Sequence, residues 1–269
     1  MLGARLDRVR QQAPLVHNIT NYVTANDVAN LLLACGARPV MADDPREAAE
    51  IAAHAAAVHL NLGTFNSARY EAMLAAGRAA GQLGRPIVLD PVGVGASRLR
   101  RAAALTLLHT LPVTAVRGNL SELRALAEDL TTAGGVDAEG DAPPLPEIVF
   151  HLKAAARALG TILIATGAAD LVTDGDRCFV IRNGRPEMGR ITGTGCQLSG
   201  LTAAFLGANP ETPLEAAAAA VCAMGLAGEL GWRRIGPLDG SMAYRSYLID
   251  AVYHLSGEAL EKGAKYEVQ

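Results

Sequence analysis

Residues 191–200, Ile-Thr-Gly-Thr-Gly-Cys-Gln-Leu-Ser-Gly, set two glycines and a cysteine directly ahead of an apolar run that continues through Leu201, Ala203, Ala204, Phe205 and Leu206. Gly193 and Gly195 carry no Cβ, so the backbone there can turn tightly and approach a ligand closely. The unpaired N–H groups of a helix starting at this point face outward at the positive end of its dipole. With Thr194 between the two glycines, the segment forms an anion site suited to phosphate. Cys196 stands at its mouth, where a thiol gives up its proton most readily. A glycine-lined anion hole beside an ionisable side chain points to phosphoryl transfer. Glycines that only permit close packing at a helix start are the other reading of the same residues.

The elements that must position this segment follow from periodicity. Short apolar runs at 15–17, 38–41, 58–62, 86–90, 114–117 and 161–165 are expected strands. Helices are expected between them at 25–35, 45–56, 66–83, 98–110, 119–130 and 146–159, with Asn66, Ser97 and Asn119 as N-caps. This alternation predicts an α/β fold with a mainly parallel central sheet and helices on both faces. Residues 170–184 read as a hairpin around Asp174-Gly175, with Asn183-Gly184 making a second turn. Three helices are expected after it, at about 195–207, 213–231 and 241–262. Residues 131–144, rich in Gly, Pro and Asp, are expected to form a mobile surface loop inside a single domain spanning 1–269.

In an open parallel sheet, ligands bind outside the carboxyl ends of the strands. Polar clusters fall at six such ends: Asn18 to Asn21, Met41 to Asp44, Asn61 to Thr64, Asp90 to Gly95, Arg117 to Glu122, and Thr166-Gly167. Asn119 and Glu122 are three apart and share a face of a first helical turn. There they can hold the waters of a hydrated Mg²⁺ or form a capping box, and the spacing leaves both open. Asp90 can support a metal or fix a turn. Arg117 can take phosphate oxygens bidentately or remain a solvated charge, and Thr166 can donate its hydroxyl to a phosphate. By its surroundings alone, Met41 reads as a core residue.

Composition narrows the partners. Half of the 269 residues are hydrophobic and 19% are charged, which fits a globular enzyme with a large core. A net charge of -3 and 4% aromatic residues give no basis for nucleic acid or an anionic membrane as partner. No segment approaches ~18 uninterrupted apolar residues, and the charged N-terminal segment has no apolar signal core, so the cytoplasm is the expected location. Cys35, Cys178, Cys196 and Cys222 form no C-x-x-C pair, and the first, second and fourth read as core residues. A Gly-x-Gly-x-x-Gly dinucleotide motif is missing after the first strand, where His17-Asn-Ile-Thr-Asn21 supplies no glycine.

Taken together, His17–Asn21, Met41–Asp44, Asp90–Gly95, Arg117–Glu122 and Thr192–Cys196 resemble, in type and order, the motifs of the hydroxyethylthiazole kinase family. The resemblance runs from about residue 14 to 260. It implies a ribokinase-like three-layer sandwich and phosphorylation of the hydroxyl of 4-methyl-5-(2-hydroxyethyl)thiazole by ATP and Mg²⁺, a thiazole salvage step in thiamine biosynthesis. It also implies a homotrimer with active sites between neighbouring subunits. On this resemblance Cys196 and the Gly193-Thr194-Gly195 backbone are catalytic. Arg117, Thr166 and Gly167 contact the nucleotide. Met41 and Gly193, with Asn21 and Thr64, contact the thiazole, and Glu122, Asn119 and Asp90 serve the metal.

Most of the wider superfamily carries Asp where Cys196 stands. A free thiol has a pKa of about 8.5 against about 3.9 for Asp, so Cys196 is expected to be a weak base or a positioning group, and Cys196→Asp to keep or raise turnover. Hydroxymethylpyrimidine or pyridoxal kinases and the ADP-dependent dehydratase of hydrated nicotinamide cofactors share the resemblance in fold, but they are expected to carry that Asp. A non-catalytic thiamine-precursor binding protein is the remaining alternative, opposed by the intact set of Arg117, Glu122 and Cys196.

Overall fold

Strand β1 (Leu15–Ile19) pairs in parallel with β2 (Arg38–Val40) on one side and β3 (Ala57–Asn61) on the other. Parallel pairing continues through β4 (Ile87–Asp90), β5 (Ala115–Asn119) and β6 (Ile162–Thr166). The chain then reverses: β7 (Asp170–Thr173), β8 (Cys178–Ile181) and β9 (Tyr266–Val268) add on antiparallel. One sheet results, in the order β2-β1-β3-β4-β5-β6-β7-β8-β9. The computed structural model describes residues 1–127 and 143–269.

Alternate residues of each strand serve opposite faces, as the pleat requires. Val16, Ala57, Val88 and Ala115 join one apolar core with α1 (Gly3–Gln12), α2 (Ala25–Cys35), α8 (Thr194–Ala208), α9 (Pro213–Trp232), α10 (Ser241–His254) and α11 (Gly257–Gly263). Ile19, Val58, Leu60, Ile87, Leu89 and Val116 join a second core with α3 (Ala48–His54), α4 (Ser67–Gln82), α5 (Arg98–Thr110), α6 (Leu120–Ala127) and α7 (Leu145–Leu159). The expected three layers are present. Helices α8 and α9 lie deep in the first core and are apolar nearly all round, as interior helices are. By length and hydropathy α9 could cross a membrane, yet 89% of that stretch is buried inside the protein.

Local signals account for most boundaries. The side chains of Asn66 and Ser97 accept the backbone N–H of Arg69 and Arg100, capping α4 and α5. Gly36 and Gly160 take left-handed conformations after α2 and α7. Two expectations change and two further elements appear. The helix expected over 241–262 is two, because Leu255 is extended and the Ser256 hydroxyl then caps a new helix. Helix α3 is shorter than 45–56 at both ends. Helix α1 was not foreseen; Leu2, Leu6 and Val9 bury one side of a charged segment. Strand β9 was not foreseen either, being short, polar and exposed. The end of the 119–130 helix and nearly all of the 131–144 loop lie outside the described residues.

Since β1 and β3 to β6 run parallel as neighbours, their carboxyl ends form one edge. There Asn61 stands opposite Asp90 and Asn119 opposite Thr166 in the strand register.

Candidate active site

Helix α8 begins over this edge. Gly193 sits at its N-cap with φ +83°, and a Cβ on it would overlap the Thr24 methyl. Glycine is therefore required twice over, by conformation and by close approach. At Gly195 a Cβ would overlap the Arg117 guanidinium, which lies directly against the helix start. The anion hole is thus a place where a fixed positive side chain and free backbone N–H groups meet.

From Cys196 buried hydrogen bonds run to Asn61 of β3, on to Asp90 of β4 and back to Ser199 of α8. The Asn21 and Asn61 amides donate to Sγ at 3.3 and 3.2 Å. Asn61 also donates to Asp90 Oδ2 at 2.7 Å, and the Ser199 hydroxyl, one helical turn past Gly195, reaches the same oxygen at 2.8 Å. Asp90 is fully buried, and its Oδ1 has no hydrogen-bond partner but faces Arg117 Nη1 at 3.9 Å. Arg117 Nη2 donates to Thr166 Oγ1 at 2.8 Å. The structure therefore brings Asn21, Asp90, Arg117, Thr166 and residues 193–196 together. Sequence reasoning did not single out Asn61, Ser199 or Thr24. Asn61 could have been found, since it opens one of the polar clusters at the strand ends.

The expected acidity of the thiol is not what the site provides. Burial first, and the Asp90 carboxylate second, push the Cys196 pKa up, against the opposing hydrogen bonds from Asn61, Thr24 and Asn21. Burial also leaves the Asp90 pKa raised, with Glu122 adding to it and Arg117, Ser199 and Asn61 opposing it. Helix-start activation was the sequence argument; desolvation and a neighbouring negative charge outweigh it. The other three thiols are buried, Cys35 and Cys178 being pushed up to about 11 and Cys222 to about 12, as core cysteines should be.

Asn119 and Glu122 do form the capping box: Asn119 Oδ1 accepts the Glu122 N–H at 2.9 Å, and Glu122 Oε2 accepts the Asn119 N–H at 3.0 Å. Glu122 Oε1 also accepts the Gly93 N–H at 3.0 Å, tying the loop after β4 to α6. Among the described residues no three His, Cys, Asp or Glu side chains converge on a metal position. A hydrated Mg²⁺ needs few protein ligands. The donor set suits one on two counts: the unpaired Asp90 Oδ1 is an acceptor without a donor, and Glu122 lies near enough to act on the charge of Asp90.

Arg117, Thr166, Gly167, Thr194 and Gly195 line a cavity of about 560 Å³ together with Met224 and Gly225 of α9. Met41 is 39% exposed, and among the described residues no hydrogen bond ties it to Cys196. Gly63 packs against Asn21 and Asn61, so the loop after β3 borders the thiol. Thr64 is held at φ +46°, and its hydroxyl accepts from Arg69 at 2.8 Å, while Arg69 also grips Asp43 at 2.9 Å. Arg69 thus joins the loop of Thr64 to the loop after Met41.

Removing the negative charge beside the sulfur should ease its ionisation. In metal-free protein, alkylation of Cys196 followed by peptide mass spectrometry should rise only above the pH of an ordinary thiol, and Asp90→Asn should move that rise to lower pH. An unchanged or upward-shifted profile would refute the coupling.

The family model described as the hydroxyethylthiazole kinase family matches residues 6–258. A hydroxyethylthiazole kinase of Clostridium acetobutylicum is 47% identical over 99% of both chains. One of Methanoculleus marisnigri is also 47% identical, over 97% of this chain and 91% of its own. The solved hydroxyethylthiazole kinase protein from Pyrococcus horikoshii OT3 superposes with a TM-score of 0.89 at 36% identity, covering 100% of this chain and 98% of that one. Pyridoxal kinase from Staphylococcus aureus, in complex with AMP-PCP and pyridoxal, shares the fold at a TM-score of 0.61 and 18% identity, over 95% of this chain and 98% of that chain. A ribokinase-like superfamily protein from Enterococcus faecalis also has a TM-score of 0.61, at 14% identity over 92% and 89%. The fold is ribokinase-like, and the chain belongs to the hydroxyethylthiazole kinase family.

Proposed function

We propose that the protein transfers the γ-phosphoryl group of ATP to the hydroxyl of 4-methyl-5-(2-hydroxyethyl)thiazole, a salvage step toward thiamine, and does so in the cytoplasm as a homotrimer with active sites between subunits. The observation that carries the reading is the Arg117 guanidinium seated against Gly195 at the start of α8, opening on a cavity of about 560 Å³. The names of the relatives supply the alcohol. Exposed Tyr22 and Val23, next to Asn21, and half-exposed Met41 support a site completed by a neighbour.

In this reading ATP enters the cavity with its phosphates at the Arg117–Thr166 end. Arg117, the Thr166 hydroxyl and the N–H groups of the helix start hold the charge of the transferring group. The alcohol oxygen forms a bond to the γ-phosphorus as the bond to the bridging β–γ oxygen breaks, and the alcohol proton is released. The thiazole lies among Asn21, Met41 and Gly193. Asp90 and Glu122 are the residues that would hold Mg²⁺, which would supply neutralisation of the phosphate charge. The amide oxygen of Asn119 already accepts from Ser121 and from the Glu122 N–H, so its part is to fix Glu122.

Cys196, protonated and bound by two amides, orients the alcohol instead of removing its proton early. The loose transition state of phosphoryl transfer asks for little deprotonation in advance. Turnover of ATP with hydroxyethylthiazole, hydroxymethylpyrimidine and pyridoxal tests the substrate: only the first should be phosphorylated, and exclusive use of either other alcohol would refute it. In the same assay Cys196→Asp should retain or increase turnover; an inactive variant that still binds both substrates would contradict the role given to the thiol.

A further inference from the structure

Behind the cavity lies a cluster around one buried carboxylate that takes no part in the chemistry proposed above. Glu229, on α9 and only 9% exposed, accepts through Oε1 from the Asn183 amide and from the backbone N–H of Gly184, both at 3.1 Å. Its Oε2 accepts from Lys265 Nζ at 2.7 Å. Asn183 is held from its other side as well, its Oδ1 accepting the Lys265 backbone N–H at 2.7 Å and its amide donating to the Gly263 carbonyl at 2.9 Å. One carboxylate thus ties the turn after β8 to α9 and to the chain entering β9.

The same turn and the residues after it are pressed onto α9 at two of its glycines. A Cβ at Gly225 would overlap Asn183, and one at Gly228 would overlap Met188. The segment so held forms one wall of the cavity, with Asn183, Gly184, Arg185, Pro186, Met188 and Gly189 all facing it. Buried carboxylates of this kind cost desolvation unless fully paired. Here burial raises the Glu229 pKa, but Lys265, Gly184 and Asn183 outweigh it and hold the carboxyl below its ordinary value, so it is ionised at neutral pH.

We infer that Glu229 is a positioning residue for the nucleotide: through Asn183, Gly184 and Lys265 it holds residues 183–189 in the place where they receive the end of ATP remote from the transferring phosphate. The inference rests on the nucleotide half of the proposed function and not on the identity of the alcohol. Glu229 touches no reacting atom. Its effect is confined to how well the wall is formed before nucleotide arrives, and a preformed wall spares the nucleotide the cost of ordering it.

ADP titrated calorimetrically into the whole protein without any alcohol, together with steady-state kinetics, tests this. Glu229→Gln should raise the Kd for ADP and the KM for ATP about tenfold, with kcat and the KM for the alcohol nearly unchanged. Lys265→Met, at a mostly exposed side chain, should shift the same two constants in the same direction by less. ADP affinity equal to wild type in both variants would overturn the inference, and so would a joint change of kcat and both KM values, the mark of general loosening. If Glu229→Gln fails to fold, Lys265→Met alone decides by the same split. A wild-type protein that binds ADP without phosphorylating the thiazole refutes the substrate assignment and leaves this comparison intact.

Discussion

Asp90 has no exposed surface, and the arrangement of the site turns on how its charge is satisfied. One oxygen is held by Asn61 from β3 and Ser199 from α8, while the other faces Arg117 from β5. A buried charge is tolerated only when partners compensate its lost hydration. Those partners come from different elements, so satisfying Asp90 fixes the start of α8 relative to the sheet edge. The placement of Arg117 against Gly195, and of Cys196 beneath two amides, follows from that constraint.

The same carboxylate decides between two descriptions of the chemistry. A helix N-terminus favours thiolate, whereas burial and a neighbouring carboxylate favour thiol, and the second pair prevails at Cys196. Charge stabilisation then falls to groups already in place: backbone N–H donors and a guanidinium braced by Thr166 and facing Asp90. Such fixed donors need no reorganisation as charge develops, and losing one costs on the order of 10²–10³ in rate. In the proposed transfer the thiol would be a modest contributor beside them.

Much of this was legible in sequence because the governing signals are local. Apolar runs ending in polar clusters revealed the parallel strands and their shared edge, and Ser97 and the 98–110 pattern marked α5 at its observed limits. Where the deciding contact is distant, the sequence was silent. The break between α10 and α11 lay in a helical pattern interrupted by neither proline nor an obvious polar gap, with only Ser256 and Gly257 to mark it. Helix α1 and strand β9 owe their form to packing and pairing with remote elements. Asn61 and Ser199 act through Asp90, and no spacing rule connects residues 61, 90 and 199. The Asn119–Glu122 pair shows the complementary case: both readings of its spacing were physically sound, the capping box is formed, and the capped Glu122 retains acceptor capacity on each oxygen.

The most direct test of the central claim, that the backbone cradle and Arg117 outweigh the thiol, is a comparison of kcat for Gly195→Ala and Cys196→Ala under saturating ATP and hydroxyethylthiazole. An added Cβ at residue 195 displaces Arg117 from the helix start, so that variant should lose at least about 10²-fold, and Cys196→Ala distinctly less. A larger loss in Cys196→Ala than in Gly195→Ala would contradict the account.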